Sequence, residues 1–371
     1  MSKYIHLLKD WPAFKWDDEK IILPLATVRH KQGRLLGKLE GLGFRLREEA
    51  TLETLTQDVI KSSEIEGEKL PSDQVRSSIA KRLGIEIAGE VSINRNVDGV
   101  VGMMLDATQR YDSLLTKERL FGWHASLFPT GRSGMYKIQV GRWRDDAKGP
   151  MQVVSGAMGR EKIHYEAPAA ERTDGEIKKF LAWFNETASV DAVLKAAIAH
   201  LWFVTIHPFD DGNGRMARAI ADMQLARADA NRQRFYSMSA QIQRERTVYY
   251  DILEKTQKGN LDITQWLLWF IECLNRAISL SEENLSGVTQ KAKFWEVHQH
   301  VILNERQRKM LNKLMDGFDG KLTSSRWAKI GKCSTDTALR DIQDLIDKRI
   351  LVKEEGGGRS TSYRIKLHSG S

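Results

Sequence analysis

Only two cysteines, Cys273 and Cys333, occur in 371 residues. They lie far apart and show no metal-ligand spacing, which excludes a disulfide framework and a cysteine-based zinc site and reads as a reducing, cytoplasmic compartment. Proline is scarce, with seven residues, so little interrupts a helical pattern. No apolar run is long enough to span a bilayer, which predicts no membrane partner. The opening stretch MSKYIHLLKDWPAFKWDDEK lacks both the apolar core and the small-residue cleavage site of a signal peptide. Acidic residues are the minority, 49 against 57 Lys and Arg, for a net charge of +8 and a pI near 9.3. That balance permits contact with nucleic acid or nucleotide phosphates without requiring either. At 41% hydrophobic and 29% charged, the composition is that of a soluble globular protein, and its length predicts two or three domains.

Helical periodicity dominates what is present. Leu52, Leu55, Val59 and Ile60 fall at helical spacing in residues 51–66, and Gly67 and Pro71 close that helix. Residues 96–111, 115–127, 174–187, 190–206, 214–228, 239–257 and 262–280 also predict helices. Residues 135–168 differ: glycine breaks and short β-prone runs at 151–154 and 162–165 predict a hairpin between Met151 and Tyr165. The polar stretch SEENLSGVTQ, 281–290, reads as the start of a linker. Beyond Lys291 three short helices follow, the last capped by Ser334 or Thr335, and then an alternating, triple-glycine stretch that predicts a second hairpin.

The segment HPFDDGNGRMAR, 207–218, concentrates chemistry in twelve residues. It follows an apolar helix. Pro208 disfavours helical geometry at His207, and Gly212 and Gly214 allow a sharp turn and close approach of a ligand. A new helix begins there, so free N–H groups and the positive end of the helix dipole converge on an anion. Asn213 adds an amide donor. Arg215 and Arg218 share one face of the first turns, an unfavourable placement against the dipole unless an anion or an acid sits nearby. Asp211 is placed to hold Mg²⁺ beside phosphates, and His207 to take a hydroxyl proton near neutral pH. A calcium-loop reading fails because Arg215 falls where a ligand is needed. A Walker A reading fails because no G-x-x-x-x-G-K-[ST] occurs.

Residues 207–218 match every specified position of H-P-F-x-D-G-N-G-R-x-x-R, and the chain in this respect resembles the Fic family. The resemblance implies a mainly α fold, a helical core with a β-hairpin flap and an N-terminal helical extension, to which the helix–helix–helix–hairpin pattern beyond Lys291, similar to a winged helix-turn-helix, adds a C-terminal domain. The implied division is 1–95 for the N-terminal region, 96–280 for the Fic core and 291–371 for the winged module. It also implies transfer of AMP from ATP to a Ser, Thr or Tyr hydroxyl of a protein. His207 is then the base, Asp211 the Mg²⁺ ligand, Gly212, Asn213, Gly214 and Arg215 the phosphate cradle, and Arg218 the grip on the γ-phosphate. Phe209 packs under the loop. Relatives that phosphorylate depart from the G-N-G core kept here. The hairpin at 151–165 is either the family's target-pinning flap or an ordinary surface hairpin.

SSEIEGE, 62–68, resembles the inhibitory pattern [S/T]-x-x-x-E-[G/N] of many Fic proteins, with Ser62, Glu66 and Gly67 in register. The resemblance pairs Glu66 with Arg218 as a brake on productive ATP binding. The same glutamate serves equally in a reading where the enzyme removes AMP. Trp11, Phe14 and Trp16 read as packing residues, and Tyr249 and Tyr250 as either adenine neighbours or core.

Residues 321–366 carry eleven Lys/Arg and six Asp/Glu, with Lys329, Lys332, Arg340, Arg359 and Arg364 available to phosphate. Asp336, Asp341, Asp344 and Asp347 on the same helix weaken a DNA reading, and protein contact or dimer assembly is the alternative. The expected partners are therefore ATP, an unnamed target protein or the chain itself, duplex DNA and a second copy.

Overall fold

The computed structural model describes residues 4–87, 91–147, 149–156, 160, 162–186, 190–315, 320–354 and 361–366. It divides into two compact units, Met1–Glu282 and Glu283–Ser371. The described residues are mostly helical, and none of their helices is long and apolar enough to cross a membrane.

In the first unit the helices are α1 (Asp18–Glu40), α2 (Phe44–Ile65), α3 (Ser72–Leu83), α4 (Arg95–Gln109), α5 (Lys117–Leu127), α6 (Thr173–Asn185), α7 (Ala192–Ile206), α8 (Asn213–Asp229), α9 (Met238–Arg244) and α10 (Arg246–Gln257). α11 (Thr264–Val297) begins in this unit, and the division between units falls within it. Two short hairpins interrupt the helices: β1 (Arg132–Ser133) with β2 (Tyr136–Lys137), and β3 (Gln152–Ser155) with β4 (Lys162–Glu166).

α7 explains the architecture. Its sequence AVLKAAIAHLWFVTI is apolar on every face, so it has no solvent side to present and is buried from Val193 to Ile206. α8 packs antiparallel behind it and is itself buried from Arg215 to Ala226. α6 packs on α7, and α2, α4 and α9 pack on α8. At one crossing no side chain fits: a Cβ on Gly99 of α4 would lie 1.8 Å from the Ser126 carbonyl oxygen on α5. Trp11 fills the core beside Trp202 and donates to Glu176 Oε2 at 2.8 Å. Phe14 packs edge-on against both tryptophans, whereas Trp16 stays half-exposed and bonds Asp18.

The flap pairs in antiparallel register, Gln152 with Glu166 and Val153 with Tyr165. A bulge after Val153 shifts the pairing to Val154 with Ile163 and Ser155 with Lys162. The residues between Ser155 and Lys162 are described only in part. Two sequence expectations are corrected. Residues 281–290 hold the division between the two units, but as helix and not as an irregular linker, because α11 runs straight through them: Glu282 accepts from Arg34 and Lys38, Ser281 donates to the Phe235 carbonyl, and Leu285 is buried. The helix expected over 239–257 breaks at Glu245, whose carboxylate is held by Arg276. α1 and α3 fall in the N-terminal helical extension, whose separate helices the sequence pattern does not bound.

In the second unit, α12 (Glu305–Met315), α13 (Ser324–Gly331) and α14 (Thr335–Asp347) are followed by a hairpin of β5 (Leu351–Lys353) and β6 (Tyr363–Ile365). Trp327, Met310, Leu311, Ala338, Ile342, Leu345 and Leu351 form its core. Three residues connect α13 to α14, with Lys332 in the left-handed region at φ 49° and Ser334 as the N-cap of α14. The three glycines and Arg359 of the expected wing lie outside the described residues.

Candidate active site

The site forms where α7 ends and α8 begins. The apolar helix stops at His207, which takes φ 52° and ψ 58° as its C-cap. Five residues later Gly212 takes φ 79° and opens α8. Gly212 is required twice over, since a Cβ there would also lie 2.9 Å from the Phe128 ring. The first N–H groups of α8, those of Asn213, Gly214 and Arg215, have no preceding turn to supply carbonyls.

Below the loop, Phe209 is fully buried. It stacks on His124 at a ring separation of 4.2 Å and packs against Trp143 at 5.1 Å. Asn213 does not offer its amide to a ligand, as the sequence reading had it. Its Oδ1 accepts from the Phe209 N–H at 3.0 Å and its Nδ2 donates to the Phe209 carbonyl at 2.8 Å. The side chain zips the loop shut, and only its backbone N–H faces the anion position.

His207 donates from Nδ1 to the Val204 carbonyl at 3.2 Å, which leaves the Nε2 lone pair free. Burial pushes its pKa down to about 4, so the ring is neutral at physiological pH. Arg144 holds the loop from the other side. Its Nε donates to the His207 carbonyl at 2.8 Å, its Nη1 to Asp146 and its Nη2 to the Pro168 carbonyl at the base of the flap. Tyr165 of β4 adds a second tie, donating to the Thr205 carbonyl at 2.7 Å. The flap is thereby anchored two residues before His207.

Asp211 accepts from the Gly212 N–H through Oδ1 at 2.6 Å and from the Ser133 hydroxyl through Oδ2. His124 also holds the Asp211 backbone carbonyl, at 3.2 Å, while its other ring nitrogen accepts from the Gly141 N–H. That pattern fixes a neutral imidazole, and burial takes the pKa down to about 4.

Arg218 is 2% exposed. It donates to the Ser62 hydroxyl at 2.9 Å, the Ser62 carbonyl at 2.8 Å and Glu66 Oε1 at 2.8 Å. Its Nη1 is buried without a partner. Burial opposes its charge, yet Glu66, Tyr249 and Tyr250 hold its pKa above the ordinary value. The Glu66 carboxylate sits directly on the open face of Gly214, where a Cβ would meet Oε1 at 2.2 Å. Arg215, stacked on Phe128 at 5.1 Å, donates to Glu68 Oε2 at 2.6 Å. Arg246 and Tyr250 of α10 hold the Ile65 carbonyl at the end of α2. Tyr249 is core, bonded to His200.

Neutral His207, part-exposed Asp211 and the two buried arginines thus meet at a helix N-terminus, an arrangement able to hold an anion and to accept a proton. Residues 114–225 match the Fic/DOC family, and residues 4–85 match a domain of unknown function, DUF4172.

The chain carries a Fic/DOC family domain.

Over 168 residues, 44% of the chain and 30% of the relative, it is 31% identical to the protein adenylyltransferase fic-1 of Caenorhabditis elegans. Over 242 residues, 62% of the chain and 43% of the relative, it is 24% identical to the protein adenylyltransferase Fic of Drosophila virilis. The matched stretches thus span less than half of these relatives. The crystal structure of a Fic family protein from Desulfovibrio desulfuricans shares the fold, with a TM-score of 0.52 and 19% identity over 95% of this chain and 97% of that one.

The structure brings His207, Asp211, Gly212, Asn213, Gly214, Arg215, Arg218, Ser62 and Glu66 together, as the sequence placed them. Sequence reasoning missed Glu68, Ser133, His124 and Arg144. Glu68 had a legible signal, lying two residues beyond Glu66 across a glycine. The other three carry no local mark.

Proposed function

We propose that this protein transfers AMP from ATP to a hydroxyl side chain of a target protein, with Glu66 as a built-in brake. The observation that carries the reading is the free, neutral Nε2 of His207 beside a helix N-terminus armed with Arg215 and Arg218. His207 takes the proton from the target hydroxyl. The oxygen then attacks the α-phosphorus, and pyrophosphate leaves along the α8 N-terminus. Arg218 and the N–H groups of Gly214 and Arg215 hold the departing phosphates. Asn213 and Arg144 keep the loop in place while this happens. The flap presents the target backbone through its free strand edges.

Asp211 fits a magnesium ion. Its two oxygens each accept one hydrogen bond and keep lone pairs to spare, and Mg²⁺ is satisfied by one or two carboxylates with waters and phosphate oxygens. Bound there, the ion supplies charge neutralisation of the phosphates.

With Glu66 on Arg218 and against Gly214, a γ-phosphate has no place to sit. Removing the carboxylate frees both. In the test, Glu66→Gly is incubated with Mg²⁺·ATP and a cell lysate, and proteins are examined by mass spectrometry. An AMP adduct on a Ser, Thr or Tyr, or on the chain itself, is the expected result; no adduct on any protein overturns the reading. An adduct that disappears instead of forming favours AMP removal by Glu66.

A second reading concerns the second unit, as a winged helix-turn-helix binding duplex DNA. It is favoured by the placement of the aspartates on α14. Asp341 is buried against Asn304 and Arg306, and Asp344, 45% exposed on its side chain, is held by Gln307 and Lys348. Arg340, Gln343 and Leu339 are left outward with Asp336 and Asp347, the last bonded by Gln343, beside exposed Lys329 of α13 and Lys332 of the turn. Residues 283–371 hold 17 Lys/Arg against 11 Asp/Glu, most of the chain's net +8. Binding to a mixed-sequence duplex that weakens steeply with added salt is expected. No binding at low salt overturns this reading and leaves protein contact or a homodimer for the face.

A further inference from the structure

α2 does not simply end at Glu66. Its last turn closes as a Schellman cap. The Gly67 N–H bonds the Glu64 carbonyl at 3.0 Å, and the Glu68 N–H reaches back to the Ser63 carbonyl at 3.0 Å. Gly67 stands at φ 83°, the left-handed position this cap demands. Glu68 is therefore no loose surface residue. Its backbone is fixed by the cap, and Arg246 fixes the cap in turn through the Ile65 carbonyl.

The rigid Glu66-Gly67-Glu68 corner sets one carboxylate on each arginine of the phosphate site: Glu66 on Arg218 at 2.8 Å and Glu68 on Arg215 at 2.6 Å. The Arg215 side chain is 7% exposed and Arg218 is 2% exposed, so neither arginine has water as an easy substitute partner. Arg215 Nε and Arg218 Nη1 remain buried and unpaired even so, which leaves each guanidinium with a donor still to satisfy. The two carboxylates occupy the places that two neighbouring phosphates of a nucleotide would take.

We propose that Glu68 is a second inhibitory residue, competing with nucleotide phosphate for Arg215 as Glu66 does for Arg218. This rests on the phosphate-site reading above. It makes the corner a two-point mimic of a polyphosphate. Releasing Glu66 alone leaves Arg215 still engaged, and full release comes when the whole cap moves. Gly67 is what couples the two carboxylates.

Titration calorimetry with Mg²⁺·ATP tests this on wild type, E66G, E68Q, E66G/E68Q, R215A and, against R215A as its parent, E68Q/R215A, with AMP as a probe that lacks the outer phosphates. Glu68 is 37% exposed on its side chain, so the ion pair is partly screened by water. Its loss is expected to tighten ATP about three- to tenfold. E66G/E68Q should bind ATP tighter than E66G by that factor, AMP affinity should not change, and the gain should vanish in E68Q/R215A. ATP affinity in E68Q and E66G/E68Q equal to that of their parents overturns the proposal. So does a gain that survives loss of Arg215. If E66G itself binds no ATP, the phosphate-site reading has failed, and the proposal with it.

Discussion

Replacing Glu66 by Gln removes one charge and almost no volume, which isolates the electrostatic half of the contact with Arg218. Breaking a fully buried ion pair costs about 3–5 kcal/mol, because the remaining charge is stranded. Arg218 is buried, but the Glu66 side chain is 31% exposed, and water there reduces the loss to about 1–2 kcal/mol. Ser62 still holds the guanidinium through two bonds, which limits the damage further. In a unit of this size the expected fall in Tm is about 2–5 °C. ATP should then reverse the order. With the carboxylate charge gone the γ-phosphate competes for Arg218 against a neutral amide, and each tenfold gain in affinity adds about 1.4 kcal/mol at saturating ligand. Thermal denaturation of wild type and Glu66→Gln over a series of Mg²⁺·ATP concentrations measures both effects. A variant as stable as wild type without ATP, and stabilised no more by ATP, would refute the competition between this carboxylate and phosphate.

Burial holds His6 and His124 down at about 4 and His200 at about 3. Between pH ~6.5 and 4 the unfolded chain binds protons that the folded chain refuses, so stability should fall on acidification through that window, by about 1.4 kcal/mol per unit and group at the limit. Asp222 and Asp229, pushed up by burial, act in the opposite sense and trim the loss. A flat melting temperature from pH 7 to 4.5 would contradict the assignment. His207, also near 4, should leave the transfer rate of folded protein level between pH 8 and about 5.5; a base limb at pH 6.5 would mean the free ring is not buried as described. Asn213→Ala strands the N–H and carbonyl of Phe209 and should cost about 2–4 kcal/mol in urea denaturation, together with most of the activity. Gly99→Ala should cost about 3 kcal/mol or more, because the Ser126 carbonyl stands 1.8 Å from the new methyl and neither helix has room to yield; a neutral result would deny the close approach of α4 and α5.

How much of this was legible follows from how local each feature is. The His207–Arg218 loop is contiguous, and its glycines, proline and following helix each state their geometry in the sequence. Glu66 was readable through the i,i+4 partner Ser62 and the glycine after it. Glu68 belonged to the same quoted stretch, but its role depends on a cap that redirects the chain at Gly67. Ser133, His124 and Arg144 meet the loop across 78, 87 and 63 residues of sequence, and nothing near them marks the contact. Asn213 was legible as a site residue but not in its task, because a donor pointing out and a donor zipped to Phe209 look alike in a string. Residues 281–290 marked the division between the units but not its helical conformation, for a related reason. Their polarity suits a linker, but tertiary partners such as Arg34 and Lys38 for Glu282 keep them helical.

The central claim is met most directly by label transfer from ATP carrying the label at either the α- or the γ-phosphorus, with Mg²⁺ and a lysate as target pool. Wild type, Glu66→Gly and Glu66→Gly/His207→Ala are compared side by side. Strong α-label on protein in Glu66→Gly, little in wild type and none in the double variant is the expected result. Transfer of γ-label in its place, or α-label that persists without His207, would contradict it.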